Sequence, residues 1–138
     1  MINFEEILKA NPVGVFATVE GNKVSDFSPR TRVFQYLFAD GNKVYFCTNC
    51  EKPVYKQMAA NPNVSFCTYA KNFAPVLSVN GKAIFVEDMA LKTRALEENP
   101  LIKGIYKTAD NPIFKIFYIN VEEVETFSLQ EGPKTYKV

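Results

Sequence analysis

Apolar residues recur at helical spacing in four short stretches of the chain and alternate at strand spacing in about eight others. The first helical stretch opens at Asn3, with Glu6 three residues on in a capping-box pattern, and carries Phe4, Ile7 and Leu8 on one face. A second runs from Pro53 to Ala60, with proline in the first helical position where its missing N–H costs nothing. A third follows Asp88 and bears Met89, Leu91, Ala95 and Leu96, and Leu101 to Tyr106 reads as a short fourth. Asn-Pro pairs stand at 11–12, 61–62, 99–100 and 111–112. A residue before proline is pushed out of the helical region, so the first three pairs each close a helix.

The strand-like runs are Val13–Val19, Lys23–Phe27, Thr31–Phe38, Lys43–Thr48, Val64–Tyr69, Val76–Val86, Ile113–Ile119 and Val124–Leu129. Glu20-Gly21-Asn22 separates the first two, and Asp40-Gly41-Asn42 separates the third from the fourth, which predicts two successive hairpins. Gly81 lies inside the Val76–Val86 run and predicts a bulge or bend there. Hairpin links predict a largely antiparallel sheet, and many short strands in a small chain favour closure into a barrel. No linker or low-complexity tract divides the chain, so residues 1–138 are expected to form one domain, mainly β with a few short helices.

Composition narrows the chemistry. The 47% hydrophobic and 22% charged content is that of a globular protein. Sixteen basic and fifteen acidic residues leave a net charge of +1, which argues against a nucleic-acid partner. No apolar run is long enough to span a bilayer, and the acidic start lacks the basic region of a secretion signal. A cytoplasmic location is the expectation. The chain has no histidine, which removes imidazole acid–base catalysis, Ser-His and Cys-His pairs and imidazole metal ligands. Redox or group-transfer chemistry would then fall to a bound cofactor. The three cysteines, Cys47, Cys50 and Cys67, suit a reducing compartment and are too few for a zinc site, so no metal is expected. Cys47 and Cys50 have the spacing of a redox dithiol, and they also read as a strand residue and a loop residue.

Two polar clusters interrupt the apolar pattern. Arg30 and Arg32, one residue apart, share a strand face and offer planar guanidinium groups to phosphate or carboxylate. A solvated strand edge would carry the same pair. Thr48, Asn49 and Lys52 lead from a strand end into a helix start, where free backbone N–H groups attract anions. A plain helix cap would also look like this. If the third and fourth runs pair through Asp40-Gly41, the Arg32 end and the Thr48 end lie side by side as a phosphate pocket. Val33, Phe34 and Gln35 then supply strand backbone along which a flat ring could lie.

The segments Pro12–Val19, Arg30–Gln35, Val44–Asn49 with Lys52, Asn61–Ser65 and Val79–Ala83 together resemble the pyridoxamine 5′-phosphate oxidase-like family of FMN-binding split barrels. The resemblance implies a Greek-key split barrel of six strands, a homodimer, and FMN bound in the dimer interface. It implies that Arg32 and Lys52 serve the flavin, with Thr48 and Asn49 at its phosphate. Val33, Phe34 and Gln35 would lie against its ring, and Arg30 and Tyr55 would be additional contacts. The opposite protomer would contribute Val76 to Val79 and Phe127.

The sequence departs from the oxidases in having Pro53-Val54 after its single lysine, Leu37 late in the third run, and no C-terminal Arg and His for pyridoxal phosphate. It is therefore closer to the small nitroimidazole-resistance-type and general-stress-type flavoproteins. The activity implied is FMN-dependent electron transfer from a reduced nicotinamide donor to a small organic acceptor, with no catalytic side chain identified. A flavin-binding protein without turnover, and a thiol redox protein using Cys47 and Cys50, are the alternatives.

Overall fold

A computed structural model describes residues 2–138; Met1, which falls within the expected domain, lies outside the described residues. The elements in order are α1 (Phe4–Ala10), β1 (Val13–Glu20), β2 (Ser28–Gln35), β3 (Phe38–Asp40) and β4 (Lys43–Asn49). There follow α2 (Pro53–Ala60), β5 (Asn63–Tyr69), β6 (Val76–Val86), α3 (Met89–Glu98), α4 (Pro100–Tyr106), β7 (Phe114–Ser128) and β8 (Gly132–Lys137). The helix limits follow local chemistry. The Asn3 side chain accepts from the Glu6 N–H, and that of Asp88 accepts from Ala90 and Leu91. Asn11, Asn61 and Asn99 are the C-caps before their prolines.

All strands join one antiparallel sheet in the order β2-β1-β5-β6-β7-β4-β3, with β8 also on β7. The two ends of that order are consecutive in the chain. The Tyr36 N–H donates to Pro12 and the Leu37 N–H to Tyr45, so two residues carry the backbone from one sheet end to the other and close the barrel. Phe16, Phe46, Phe66 and Phe117 fill its interior, with the rings of Phe16 and Phe46 at 5.2 Å. A second cluster, including Tyr45, Leu96, Tyr106 and Phe114, lies between the sheet and α3–α4.

Several expectations need correction. Lys23–Phe27 is not a strand: Val24–Asp26 form a 3-10 turn, and an isolated, exposed Val24 gives the segment no buried face. The first hairpin is therefore β1 with β2, pairing Phe16 with Arg32. The expected Thr31–Phe38 strand breaks at Tyr36, and only β3 pairs with β4 through the Asp40-Gly41 turn. Ile113–Ile119 and Val124–Leu129 belong to the single strand β7. The sheet has eight strands rather than the six that the resemblance implied, and β8 was not foreseen. Pro133, Lys134 and Lys137 hide β8, leaving only Tyr136 to mark an inner face.

The expected irregularity at Gly81 is present. Asn80 pairs with Glu123 and Gly81 with Val121, so Glu122 is an extra residue on β7. The bulge reverses the alternation. Phe117, Ile119 and Val121 face inward before it, and Val124, Thr126 and Ser128 after it.

Candidate functional site

β1 alternates Phe16 and Thr18 inward with Val15 and Ala17 outward. α2 packs across this strand with Val54, Gln57 and Met58, three positions on one helical face. The helix start therefore meets β2, which lies on the far side of β1 from β5. Between them is a cleft of about 540 Å³ lined by Arg30 to Phe34, Glu20, and Lys52, Val54 and Gln57 of α2 and its cap. Its size falls in the span of roughly 300–1,000 Å³ usual for small-molecule sites.

The cleft floor is a connected set of hydrogen bonds. Arg32 Nη1 donates to Phe16 O at 3.1 Å and to Thr18 Oγ1 at 2.8 Å, and Nη2 donates to Gln57 Oε1 at 2.6 Å. Thr18 Oγ1 donates to the same Gln57 oxygen at 2.6 Å. Gln57 Nε2 donates to Glu20 Oε2 at 3.1 Å, and the other Glu20 oxygen accepts from Arg30 at 3.0 Å. Desolvation lowers the Arg32 pKa, yet a guanidinium stays cationic at any physiological pH. Three cations and one carboxylate give the cleft a positive balance. A second cleft, about 460 Å³ on the outer sheet face, is lined by Asn63, Asn80, Glu122 and Glu123 and is ill suited to an anion.

Arg30, Arg32, Val33, Phe34 and Lys52 are thus brought together. The reason differs from the one the sequence suggested: β2 pairs with β1, and α2 delivers Lys52 across it. Val33 is 67% exposed, whereas Phe34 turns inward, its ring 5.0 Å from that of Phe16. Gln35 donates to Asn99 Oδ1 at the far end of β2. Thr48 and Asn49 end β4, immediately before the turn to Lys52. Asn49 builds that turn, with its side chain accepting from the Glu51 N–H at 2.8 Å. Thr48 faces the same way as Val44 and Phe46, is 2% exposed, and its hydroxyl has no hydrogen-bond partner among the described residues. Such a group costs roughly 1–3 kcal/mol unless something satisfies it. Tyr55 does not reach the cleft and packs on Phe85 at 4.7 Å. The sequence reading missed Gln57, Thr18 and Glu20. Gln57 was visible as a polar residue on the apolar face of α2, and Thr18 as a polar step in an inward alternation.

Cys47 lies in β4, Cys50 in the turn that follows β4, and Cys67 in β5. Burial pushes the Cys47 thiol up to about 12, the reverse of what a nucleophilic dithiol needs. No helix among the described residues is long and apolar enough to cross a membrane.

No curated protein matches the chain. Among solved structures, a NimC/NimA family protein from Clostridium acetobutylicum is 29% identical, with 96% of this chain and 88% of that one covered at a TM-score of 0.81. General Stress Protein 26 from Bacillus anthracis is 20% identical, with coverage of 99% and 100% and a TM-score of 0.77. A heme binding protein from Mycobacterium smegmatis is 17% identical, covering 95% of this chain and 55% of that one at 0.76. The last two show the shared split-barrel fold alone. The family described as pyridoxamine 5′-phosphate oxidase matches residues 2–128, and the chain belongs to that family.

Proposed function

We propose that this protein is an FMN-binding oxidoreductase that works as a homodimer, the whole chain acting as one flavin domain. Electrons would pass from a reduced nicotinamide donor to a small organic acceptor. The observation that carries the reading is the cationic cleft between β2 and the start of α2, on a chain of this family. The residues present fit the group. Arg32 and Lys52, with Arg30 at the rim, provide charge for a phosphate. Thr48, buried at the end of β4, does not line this cleft, so the phosphate contacts proposed here are those of the three cations. β2 is an edge strand, so its outer edge leaves main-chain donors and acceptors of Val33 and Gln35 unpaired by another strand, open to a flat heterocycle. The absence of histidine leaves no imidazole for haem iron and favours flavin over haem.

Bound FMN supplies the hydride and electron chemistry. The chain's own residues bind, orient and exclude water. Val13, Val15 and Val33 are exposed and adjacent across the β1–β2 pairing, and Tyr69 and Phe127 flank Val76 on the same outer face. An apolar sheet face of this kind suits a second copy of the chain.

The test is the visible spectrum of protein mixed with FMN and freed of excess. Retained flavin near one per chain supports the reading, and a colourless protein refutes it. Oxidation of NADH or NADPH with an added quinone or nitroaromatic then separates an enzyme from a protein that only binds flavin.

A further inference from the structure

Gln57 is 7% exposed and lines the cleft, and Thr18, 2% exposed, lies beneath it. The chemistry at the two ends of the Gln57 amide fixes its orientation. Arg32 can only donate, so it faces Oε1; the Glu20 carboxylate can only accept, so it faces Nε2. Thr18 completes a closed ring of three bonds by accepting from Arg32 and donating to Gln57. Both terminal nitrogens of Arg32, the Thr18 hydroxyl and both ends of the Gln57 amide have a partner within the set, and a network closed in this way is stiff.

We propose that Gln57 is a positioning residue: it locks the Arg32 guanidinium to α2, and so fixes Arg32 and Lys52 relative to one another as a single anion-binding unit. Lys52 is the N-cap of the same helix, five residues before Gln57. A side chain as long as arginine otherwise loses much of its rotamer freedom only on binding, at a cost to affinity. Here that freedom is already spent in the folded chain. The value of this arrangement to a ligand rests on the reading of the cleft as the FMN phosphate site.

The test has two arms. The chain has only three arginines, Arg30, Arg32 and Arg94, so the Nε–Hε resonances of 15N-labelled protein are few. In the wild type the Arg32 resonance is expected to be resolved and restrained. In Gln57→Met, which keeps the volume and removes the acceptor, it collapses towards the signal of a free arginine. The double variant Gln57→Glu with Glu20→Gln keeps the acceptor for Arg32 and gives the second oxygen at position 57 an amide donor, so Arg32 stays restrained, which also separates the effect from loss of fold. An Arg32 signal equally restrained in Gln57→Met overturns the proposal.

The second arm compares affinities for FMN and riboflavin, which differ by the phosphate. Gln57→Met is expected to weaken FMN about ten-fold, on the scale of one charged hydrogen bond, and riboflavin less than about two-fold. Equal weakening of both means a merely structural role and overturns it. A wild type that binds FMN no more tightly than riboflavin refutes the phosphate-site reading instead, and leaves the Arg32 resonance to decide the lock.

Discussion

Lys52 and Arg32 are both cationic and both line the cleft, but they are held differently. Lys52 is exposed at a helix start, while Arg32 is tied to Phe16, Thr18 and Gln57. Replacing either with alanine is expected to weaken FMN by roughly 1.5–3 kcal/mol, the worth of a charged hydrogen bond, measured by fluorescence titration. Arg94→Ala is the control. Arg94 stacks over Phe38 at 3.9 Å and pairs with Glu98, so its loss costs stability of about 0.5–1 kcal/mol and leaves flavin affinity in place. An equal affinity loss at Arg94 would show that general destabilisation is being measured.

At Cys47 the sign of the pH dependence follows from burial. The folded thiol titrates at about 12, above its ordinary value of 9.0, so the unfolded chain gives up its proton first. The stability this group contributes is complete below pH 9 and is lost as pH climbs towards 12. Tyr36 and Tyr106, also raised to about 12 by burial, act in the same direction at the upper end. The melting temperature should therefore fall on going from pH 8 to 11, and less steeply in Cys47→Ala. Identical slopes would remove Cys47 from the explanation.

Among the elements, the helices were the most legible, because capping side chains and Asn-Pro pairs act locally. The strands were legible where one face is apolar. β1 and β5 alternate cleanly, whereas β8 carries proline and lysines and shows no such face. What could not be read was pairing. Asp40-Gly41 does make a turn, but it joins only the three residues of β3 to β4, since Tyr36 and Leu37 redirect the chain. The site was therefore assembled by α2 crossing β1, a contact that no local signal encodes. The cations of the cleft are legible by residue type; Gln57 shows in the sequence only as a polar break in the apolar face of α2, and its role follows from its partners.

Gly81 was readable and can be tested as an element feature. A Cβ there would run into the Asn120 carbonyl, which is held in the β6–β7 ladder. Gly81→Ala should destabilise by about 1–3 kcal/mol in chemical denaturation, the range for overpacking. Gly104 in α4 meets nothing within 4 Å, and Gly104→Ala should stabilise by roughly 0.4–1 kcal/mol through the unfolded chain. A similar response at both positions would contradict the close approach at the bulge.

For the whole molecule, the proposed dimer rests on the outer sheet face. Val15 sits between Val33 and Cys67 on that face. Light scattering is expected to give a dimer mass for the wild type and a monomer mass for Val15→Glu, with weaker flavin binding if the site spans both copies. A wild type that stays monomeric at high concentration would leave the exposed valines without a partner.

The position of β7 in the sheet bears on how the protein is made. β7 pairs with β6, β4 and β8, and β4 has only the three-residue β3 on its other side. During synthesis, β4 must therefore wait for its main partner until α2, β5, β6, α3 and α4 have all left the ribosome. Val44 and Phe46, fully buried in the finished barrel, spend that interval uncovered. Nascent chains stopped before Phe114 are expected to be captured by chaperones and to pellet on release. Chains that extend through Ser128 should stay in solution, since slow long-range pairing exposes sticky intermediates only until it is complete.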